Sequence, residues 1–205
     1  MNDWRRLDSG QWSRLLTDAG APQELVEPLT RYLLLLARWE GAVDLLGRVD
    51  PLTLVREHVL ESLAGLAVVP SSGSLLDVGS GNGFPAVPLL LGQPTLDGVL
   101  LEPRERRWAF LREVARELSL AVDVRRERLE EHRGGEYAAL TVRAVKAGAW
   151  RLRAGSLVRA GGVLLCWATT TQAARLTVPG MEPVLTSPLP VPERGVIAVW
   201  RRCST

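Results

Sequence analysis

Leu-Leu-Asp-Val-Gly-Ser-Gly-Asn-Gly-Phe-Pro, residues 75–85, is the stretch that decides how this chain folds. It begins as an apolar strand and ends at Pro85, a residue suited to the first turn of a helix. Three glycines, at alternate positions from Gly79 to Gly83, follow Asp77. Glycines at this density predict a tight strand-to-helix turn whose backbone lets a ligand approach closely. Doubly wound α/β folds bind their ligands at such a turn, beyond the carboxyl end of the first strand.

The spacing of the glycines indicates which ligand this turn suits. A dinucleotide-binding turn reads Gly-x-Gly-x-x-Gly and faces a pyrophosphate. Here the third glycine comes one residue early and Asp77 precedes Gly79 and Gly81, which favours a cationic ligand without pyrophosphate. S-adenosylmethionine is such a ligand, and Glu102, which follows an apolar run, is placed to accept hydrogen bonds from its ribose hydroxyls. The spacing disfavours a nicotinamide-dependent oxidoreductase.

Turn residues at positions 70–73 separate two regions of different pattern. Residues 1–70 are predicted to form a helical extension, with Asp50 as the N-cap and Pro51 as the first residue of a helix at 51–69. In residues 71–205 apolar strands alternate with helical segments, which predicts a parallel sheet. Strands are expected near 74–78, 99–101, 121–124, 138–142, 163–167 and 195–200. The predicted fold class is therefore α/β, a Rossmann-like sheet with an N-terminal helical cap.

Composition indicates an ordinary globular protein of 205 residues, 46% hydrophobic and 23% charged. Its apolar runs are too short to span a bilayer and no apolar signal core follows the first residues, so we expect a cytoplasmic protein with no membrane partner. Cys166 and Cys203 lack a second Cys or a His at metal-ligand spacing, so no metal is expected. A net charge of +2 does not by itself indicate a nucleic-acid partner. The chain has a single lysine, Lys146, among 25 basic residues.

The glycine loop, continued to residue 89, resembles the cofactor loop of the bacterial small-subunit ribosomal RNA guanine-N7 methyltransferases, also called the glucose-inhibited division protein B family. The prolines after the third glycine distinguish this loop from that of most methyltransferases. The similarity covers nearly the whole chain, including the helical cap. Four further regions are similar to that family in the expected order: Trp39 with residues 44–46, residues 56–63, residues 104–111, and residues 128–131 with 142–144.

The resemblance implies a class I S-adenosylmethionine-dependent methyltransferase sheet of six to seven strands. It also implies S-adenosylmethionine as methyl donor, a guanine near the ribosomal decoding centre as acceptor, and small-subunit ribosomal RNA or the assembled small subunit as partner. Gly79 and Phe84 match the family's loop contacts to the cofactor, and Leu129 and Glu130 match its contacts near the adenine. Arg143 matches the arginine that follows strand four at the mouth of the site.

Three departures from the family pattern lie on the substrate side. Glu61 replaces the aspartate of a His-x-x-Asp-Ser motif, and Trp167 with Ala168 replaces a Lys-Gly pair that usually ends strand five. The third is Asp44-Leu45-Leu46, which replaces a more polar Asn-Leu-Thr stretch. Lys146 is a candidate substitute for the missing lysine. The alternatives to the leading function are a methyltransferase of the same fold with another RNA acceptor, or a non-catalytic ribosome-binding protein that keeps the cofactor fold.

Methylation at guanine N7 would need no general base, because N7 carries a lone pair and no proton. Arginine normally contacts guanine through O6 and N7 together. Since N7 must face the methyl group, our hypothesis is that Arg143 is catalytic by holding the RNA or orienting the two reactants; the alternative is a structural salt bridge. Arg125, Arg126 and Arg128 are equally suited to phosphate contact or to solvent. Trp167 either stacks on a base or closes the core.

Overall fold

The computed structural model describes residues 3–191 and 194–203. A seven-stranded sheet forms its centre, with the spatial order β3-β2-β1-β4-β5-β7-β6. The strands are β1 Gly73–Val78, β2 Leu96–Leu101, β3 Val122–Arg125, β4 Tyr137–Arg143, β5 Val158–Ala168, β6 Met181–Pro188 and β7 Val196–Arg202. Strands β1 to β5 are parallel, whereas β7 pairs antiparallel with both β5 and β6. The predicted α/β class is confirmed, and the strand order reverses beside β1, where open sheets of this kind bind ligands.

The described residues also form helices, most of which lie between strands of the sheet. They are α1 Ser9–Asp18, α2 Gln23–Val43, α4 Ala86–Gly92, α5 Glu105–Glu117, α6 Arg151–Leu157 and α7 Thr170–Arg175, with α3 a composite helix at residues 51–67. Short 3-10 turns occupy Trp4–Arg6 and Ala147–Ala149. None of the helices in the described residues is long and apolar enough to cross a membrane.

Helix α3 begins as predicted, but its geometry changes along its length. The Asp50 side chain accepts hydrogen bonds from the amides of Leu52 and Thr53, with Pro51 at the first helical position. The helix is regular at Pro51–Thr53, π-helical at Leu54–Leu60, regular again at Glu61–Leu63 and 3-10 at Ala64–Ala67. The helix predicted at 51–69 is therefore present at 51–67, with three kinds of helical turn along its length.

Helix α3 buries residues along most of its length, and its middle is π-helical, a kind of turn that is frequent at functional sites. The buried positions are Leu54, Val55, Val59, Glu61, Ser62 and Leu63.

The core consists of two hydrophobic clusters, one on each face of the sheet. Successive residues of β1 point to opposite faces, so Leu75 belongs to one cluster and Leu76 to the other. The cluster around Leu75 also contains Leu33 of α2, Leu54 of α3 and Leu89 of α4. The helical cap and the sheet domain therefore share one core across the sequence boundary near residue 70.

Replacing Tyr32 with Phe should lower the free energy of unfolding by about 1–2 kcal/mol, because the carbonyl of Asn82 in the glycine loop would lose its hydroxyl donor. Tyr32 is fully buried in α2, and its ring packs edge-on against Phe84 at 5.3 Å between centroids. Urea unfolding measures the change. Leu152→Ala, at an exposed position, is the control and should stay within about 0.5 kcal/mol of wild type. An unchanged midpoint for Tyr32→Phe would contradict this link between cap and loop.

Candidate active site

A cavity of 620 Å³ opens at the carboxyl ends of β1, β2 and β4. Its size lies in the range typical of small-molecule and cofactor pockets. The lining residues come from α3, the glycine loop, the start of α5 and the segments after β2, β3 and β4. They are His58, Gly79, Ser80, Gly81, Asn82, Phe84, Glu102, Pro103, Arg104, Arg107, Arg128, Arg143, Ala144, Val145, Lys146 and Ala149. Five of the eight predicted site residues are among them.

The glycine loop is held in a fixed shape by the neighbouring strand. The amides of Gly79 and Ser80 both donate to the carbonyl of Leu101 at 2.9 Å. Gly79 has a φ of 73°, and a Cβ there would lie 2.7 Å from Cγ2 of Val145. Only glycine therefore allows the loop and the segment after β4 to meet at this point.

Glu102 lies where the sequence places it, at the end of β2 and at the edge of the cavity. The side chain is buried, and its oxygens accept backbone amides from Gly81 at 2.9 Å and Arg104 at 2.8 Å. A carboxylate has about four acceptor sites, so capacity remains for a pair of ligand hydroxyls. Glu102 thus fixes the loop and offers acceptors to the cavity at the same time.

Asp77 is almost fully buried just before the loop and does not itself line the cavity. Its Oδ1 accepts the hydroxyl of Thr141 at 2.6 Å, while no donor among the described residues reaches Oδ2. Burial raises the pKa of the Asp77 carboxyl to about 6, against the hydrogen bonds that stabilise its charged form. Asp77 therefore links β1 to β4 beneath the cavity through Thr141.

Arg143 ends β4 and reaches across to α3. Its Nη2 donates to Oε2 of Glu61 at 2.6 Å and to the carbonyl of Glu57, and its Nη1 donates to Oγ of Ser62 at 3.4 Å. Oε1 of Glu61 accepts from Arg194 at 3.0 Å, so this buried acid holds two arginines. The structural salt bridge is therefore real, although Arg143 also lines the cavity.

His58 brings an imidazole of low basicity to the cavity. Burial, together with the positive charges of Arg143 and Arg194, lowers the pKa of His58 to about 4. Its ring lies 5.4 Å from that of Phe84, between centroids. The side chain is therefore neutral near pH 7 and contributes packing and polarity to the cavity wall.

The two predicted adenine contacts lie outside this lining. Leu129 is buried in the hydrophobic cluster that contains Leu76, and Glu130 is exposed in the following turn. The carbonyl of Glu130 accepts from Arg153 at 2.9 Å. Arg128, just before this pair in sequence, does line the cavity.

The structure assigns different surroundings to the side chains whose roles the sequence leaves open. Arg125 pairs with Asp123 at 2.7 Å and Arg126 with Glu105 at 3.2 Å, so Arg128 is the member of this trio that enters the cavity lining. Trp167 is 7% exposed and does not line this cavity, which favours its role in closing the core.

Sequence reasoning missed the importance of Glu61 and Arg194. Their pairing, and the donation of the Trp167 indole to the carbonyl of Glu61 at 2.7 Å, join segments that are remote in sequence. The only available signal was an acid one turn from His58 in the helix. That signal does not identify a distant partner.

The sequence model of the GidB family, described as rRNA small subunit methyltransferase G, matches residues 25–176. The chain belongs to this family. As a member it is an S-adenosylmethionine-dependent methyltransferase, and the cavity chemistry fits that donor, because Glu102 at its edge offers acceptors for hydroxyls.

Relatives in the family cover most of this chain. The ribosomal RNA small subunit methyltransferase G of Stenotrophomonas maltophilia is 41% identical over 155 residues, which are 73% of this chain and 72% of the relative. The protein of the same name from Xanthomonas oryzae pv. oryzae is 35% identical over 176 residues, 76% of this chain and 81% of the relative.

Solved structures support the fold. An RNA methyltransferase from Salinibacter ruber, in complex with S-adenosyl-L-homocysteine, superposes with a TM-score of 0.57 at 21% identity over 72% of this chain and 92% of its own. The pyocyanin biosynthetic protein PhzM gives 0.59 at 14% identity over 75% and 57%. The predicted Rossmann-like methyltransferase fold is thereby confirmed.

Gly79→Ala should weaken binding of S-adenosylhomocysteine by roughly tenfold or more, because the added Cβ meets Val145 and displaces one side of the GidB-family cofactor cavity. Isothermal titration calorimetry measures the affinity. Gly20→Ala is the matched control: its φ of 88° imposes similar backbone strain, but a Cβ there has open space, so only stability should fall. Equal affinities for the two variants would contradict the assigned role of the loop.

Asp77→Asn should reduce the pH dependence of stability. The ordinary pKa of 3.8 in the unfolded chain lies below the folded value of about 6, so between them the folded state binds more protons. Stability should therefore fall as pH rises, by about 1–2 kcal/mol from about pH 5 to about pH 8 in the wild type. Denaturant unfolding across this range measures it, and identical slopes for both proteins would exclude Asp77 as the cause.

Proposed function

We propose that this protein transfers a methyl group from S-adenosylmethionine to N7 of a guanine in the decoding-centre loop of small-subunit ribosomal RNA. The observation that carries the proposal is the family membership, supported by relatives whose names specify the small-subunit RNA. The proposed substrate is the RNA itself or the assembled small subunit, and the proposed location is the cytoplasm.

Most of the proposed cofactor contacts come from residues that line the cavity. Asp77, Gly79, Gly81, Phe84, Glu102 and Arg143 would hold the donor from the sheet and loop side, with Leu129 and Glu130 near its adenine. The proposed contact of the last two rests on the family resemblance and on their position directly after Arg128, which lines the cavity. When bound there, S-adenosylmethionine would supply the methyl group, and these residues would align it with the N7 lone pair.

The side chains around the cavity are suited to alignment rather than to proton transfer. N7 gives up no proton, so the neutral His58, whose pKa is lowered to about 4 by burial and nearby arginines, is not needed as a base. Arg104, Arg107, Arg128 and Lys146 on the lining favour an approaching phosphate backbone. Oriented binding of two reactants can supply several powers of ten in rate.

A second candidate function is methylation of another RNA acceptor by the same fold. The replacement of Lys-Gly by Trp167 and Ala168 supports this alternative, because it alters the predicted substrate side of the site and leaves the glycine loop intact. A non-catalytic ribosome-binding role would retain cofactor affinity without transfer.

Mapping N7-methylguanine in ribosomal RNA from cells with and without the gene tests the proposed reaction. We expect one small-subunit guanine to lose its methyl group when the gene is absent and to regain it when purified protein and S-adenosylmethionine are added to small subunits from those cells. A methyl group found on another RNA would favour the second candidate. No methylation difference in any RNA would reject both enzymatic functions.

Arg143→Ala compared with Arg194→Ala tests the proposed catalytic role of Arg143. Both variants remove a partner of the buried Glu61, but Arg143 lines the cavity and Arg194 does not. We expect kcat to fall by roughly tenfold or more further in Arg143→Ala than in Arg194→Ala, with similar affinities for S-adenosylhomocysteine. Equal losses of kcat would assign Arg143 a structural role alone.

A further inference from the structure

A fully buried histidine lies in the segment that connects β3 to β4. Both ring nitrogens of His132 are hydrogen-bonded to side chains of the same segment. Nδ1 lies 2.6 Å from Oε1 of Glu127, and Nε2 lies 2.9 Å from the hydroxyl of Tyr137. Glu127 follows β3 closely and Tyr137 is the first residue of β4, so the imidazole ties the two ends of the connection together.

The chemistry of these partners fixes the direction of each hydrogen bond. A carboxylate only accepts, so Nδ1 of His132 carries a proton and donates it to Glu127. In the neutral ring this leaves Nε2 as an acceptor, and the hydroxyl of Tyr137 donates to it. Burial raises the pKa of Tyr137, which keeps the phenol protonated and able to donate. The donors therefore run in one direction, from Tyr137 through His132 to Glu127.

The backbone around the imidazole is closely packed. A Cβ at Gly134 would overlap both Nε2 of His132 and the hydroxyl of Tyr137, so only glycine lets the chain pass this hydrogen bond. Arg153 of α6 donates to the carbonyl of His132 and, at 2.9 Å, to that of Glu130. The segment is thus held by α6 at its backbone and by the imidazole between its ends.

The segment that contains His132 forms one edge of the cofactor cavity. It begins beside Glu102, whose amide donates to the carbonyl of Arg125 at 3.1 Å. Arg128 lines the cavity, and its carbonyl accepts from the amide of His132 at 3.2 Å. The side chain of Arg128 is exposed, so its place in the cavity wall depends on the backbone that carries it.

We propose that His132 is a positioning residue for the methyl donor: through Glu127 and Tyr137 it fixes the segment that holds Arg128 at the edge of the cofactor cavity. This inference rests on the proposed cofactor contacts. The imidazole is fully buried and is not part of the cavity lining, so it acts through the backbone. A segment that is loose in the free protein must be ordered when the ligand binds, and that ordering weakens affinity.

His132→Phe tests the proposal, because phenylalanine has a similar size and neither donates nor accepts. We expect the dissociation constant of S-adenosylhomocysteine, measured by isothermal titration calorimetry, to rise roughly tenfold. KM for S-adenosylmethionine should rise with it, while kcat at saturating donor stays within about twofold. Unchanged affinity for S-adenosylhomocysteine in His132→Phe would overturn the proposal.

Thr30→Val is the control for a general loss of stability. It removes the hydrogen bond between Thr30 and Ser13, which joins α1 to α2 in the helical cap. The variant should unfold at lower denaturant concentration than wild type and bind S-adenosylhomocysteine with wild-type affinity. If Thr30→Val weakened binding as much as His132→Phe, lower stability would explain both losses and the positioning role would be rejected.

A conservative variant of Glu127 makes the test specific to the hydrogen-bonded chain. Glu127→Gln keeps an oxygen that accepts from Nδ1 of His132, so its affinity should stay within about twofold of wild type. Glu127→Ala removes the acceptor and should weaken binding about as much as His132→Phe. Because the two residues act in one network, the double variant with both losses should bind little worse than either single variant. Additive losses would contradict the proposal.

Gly79→Ala separates the failure of this inference from the failure of the proposed cofactor contacts. Unchanged affinity for S-adenosylhomocysteine in Gly79→Ala would reject the cavity as the cofactor site. Weaker binding by Gly79→Ala, together with normal binding by His132→Phe, would reject the positioning role of His132 alone.

Discussion

The buried carboxylate of Glu61 is the group on which the arrangement of the site depends. It is 1% exposed and is held by Arg143 from β4 and Arg194 from the segment before β7. Burial raises the pKa of this acid, and the two arginines oppose that rise. A buried charge without its partners costs several kcal/mol, so α3 is driven to dock where both arginines can reach it. That docking also brings His58 into the cavity wall.

Much of the site could be predicted because its signals are local in sequence. The acid and glycines of residues 77–83 lie in one turn, and Glu102 follows directly from the end of the next strand. Parallel strands bring these ends to the same edge, which the structure confirms. What the sequence did not indicate was that Glu102 also accepts two backbone amides, because such bonds depend on the path of the loop.

The unpredicted part of the site consists of pairings between distant segments. Glu61 meets Arg143 across 82 residues and Arg194 across 133 residues, and no periodic pattern encodes either contact. The role of Trp167 depended on the same information, since only the docked α3 shows that its indole nitrogen is used in the core. Likewise, the turn at residue 70 marks a change of pattern, yet the hydrophobic cluster beneath it is continuous.

The π-helical segment Leu54–Leu60 has a consequence for how this protein can change over evolutionary time. A π turn holds one residue more than an α turn, so removing one residue from that segment would let it tighten into an ordinary helix while the flanking residues keep their orientation. A relative that lacks this residue should therefore have a regular helix here, with Asp50 still at its start and Glu61 still facing its two arginines.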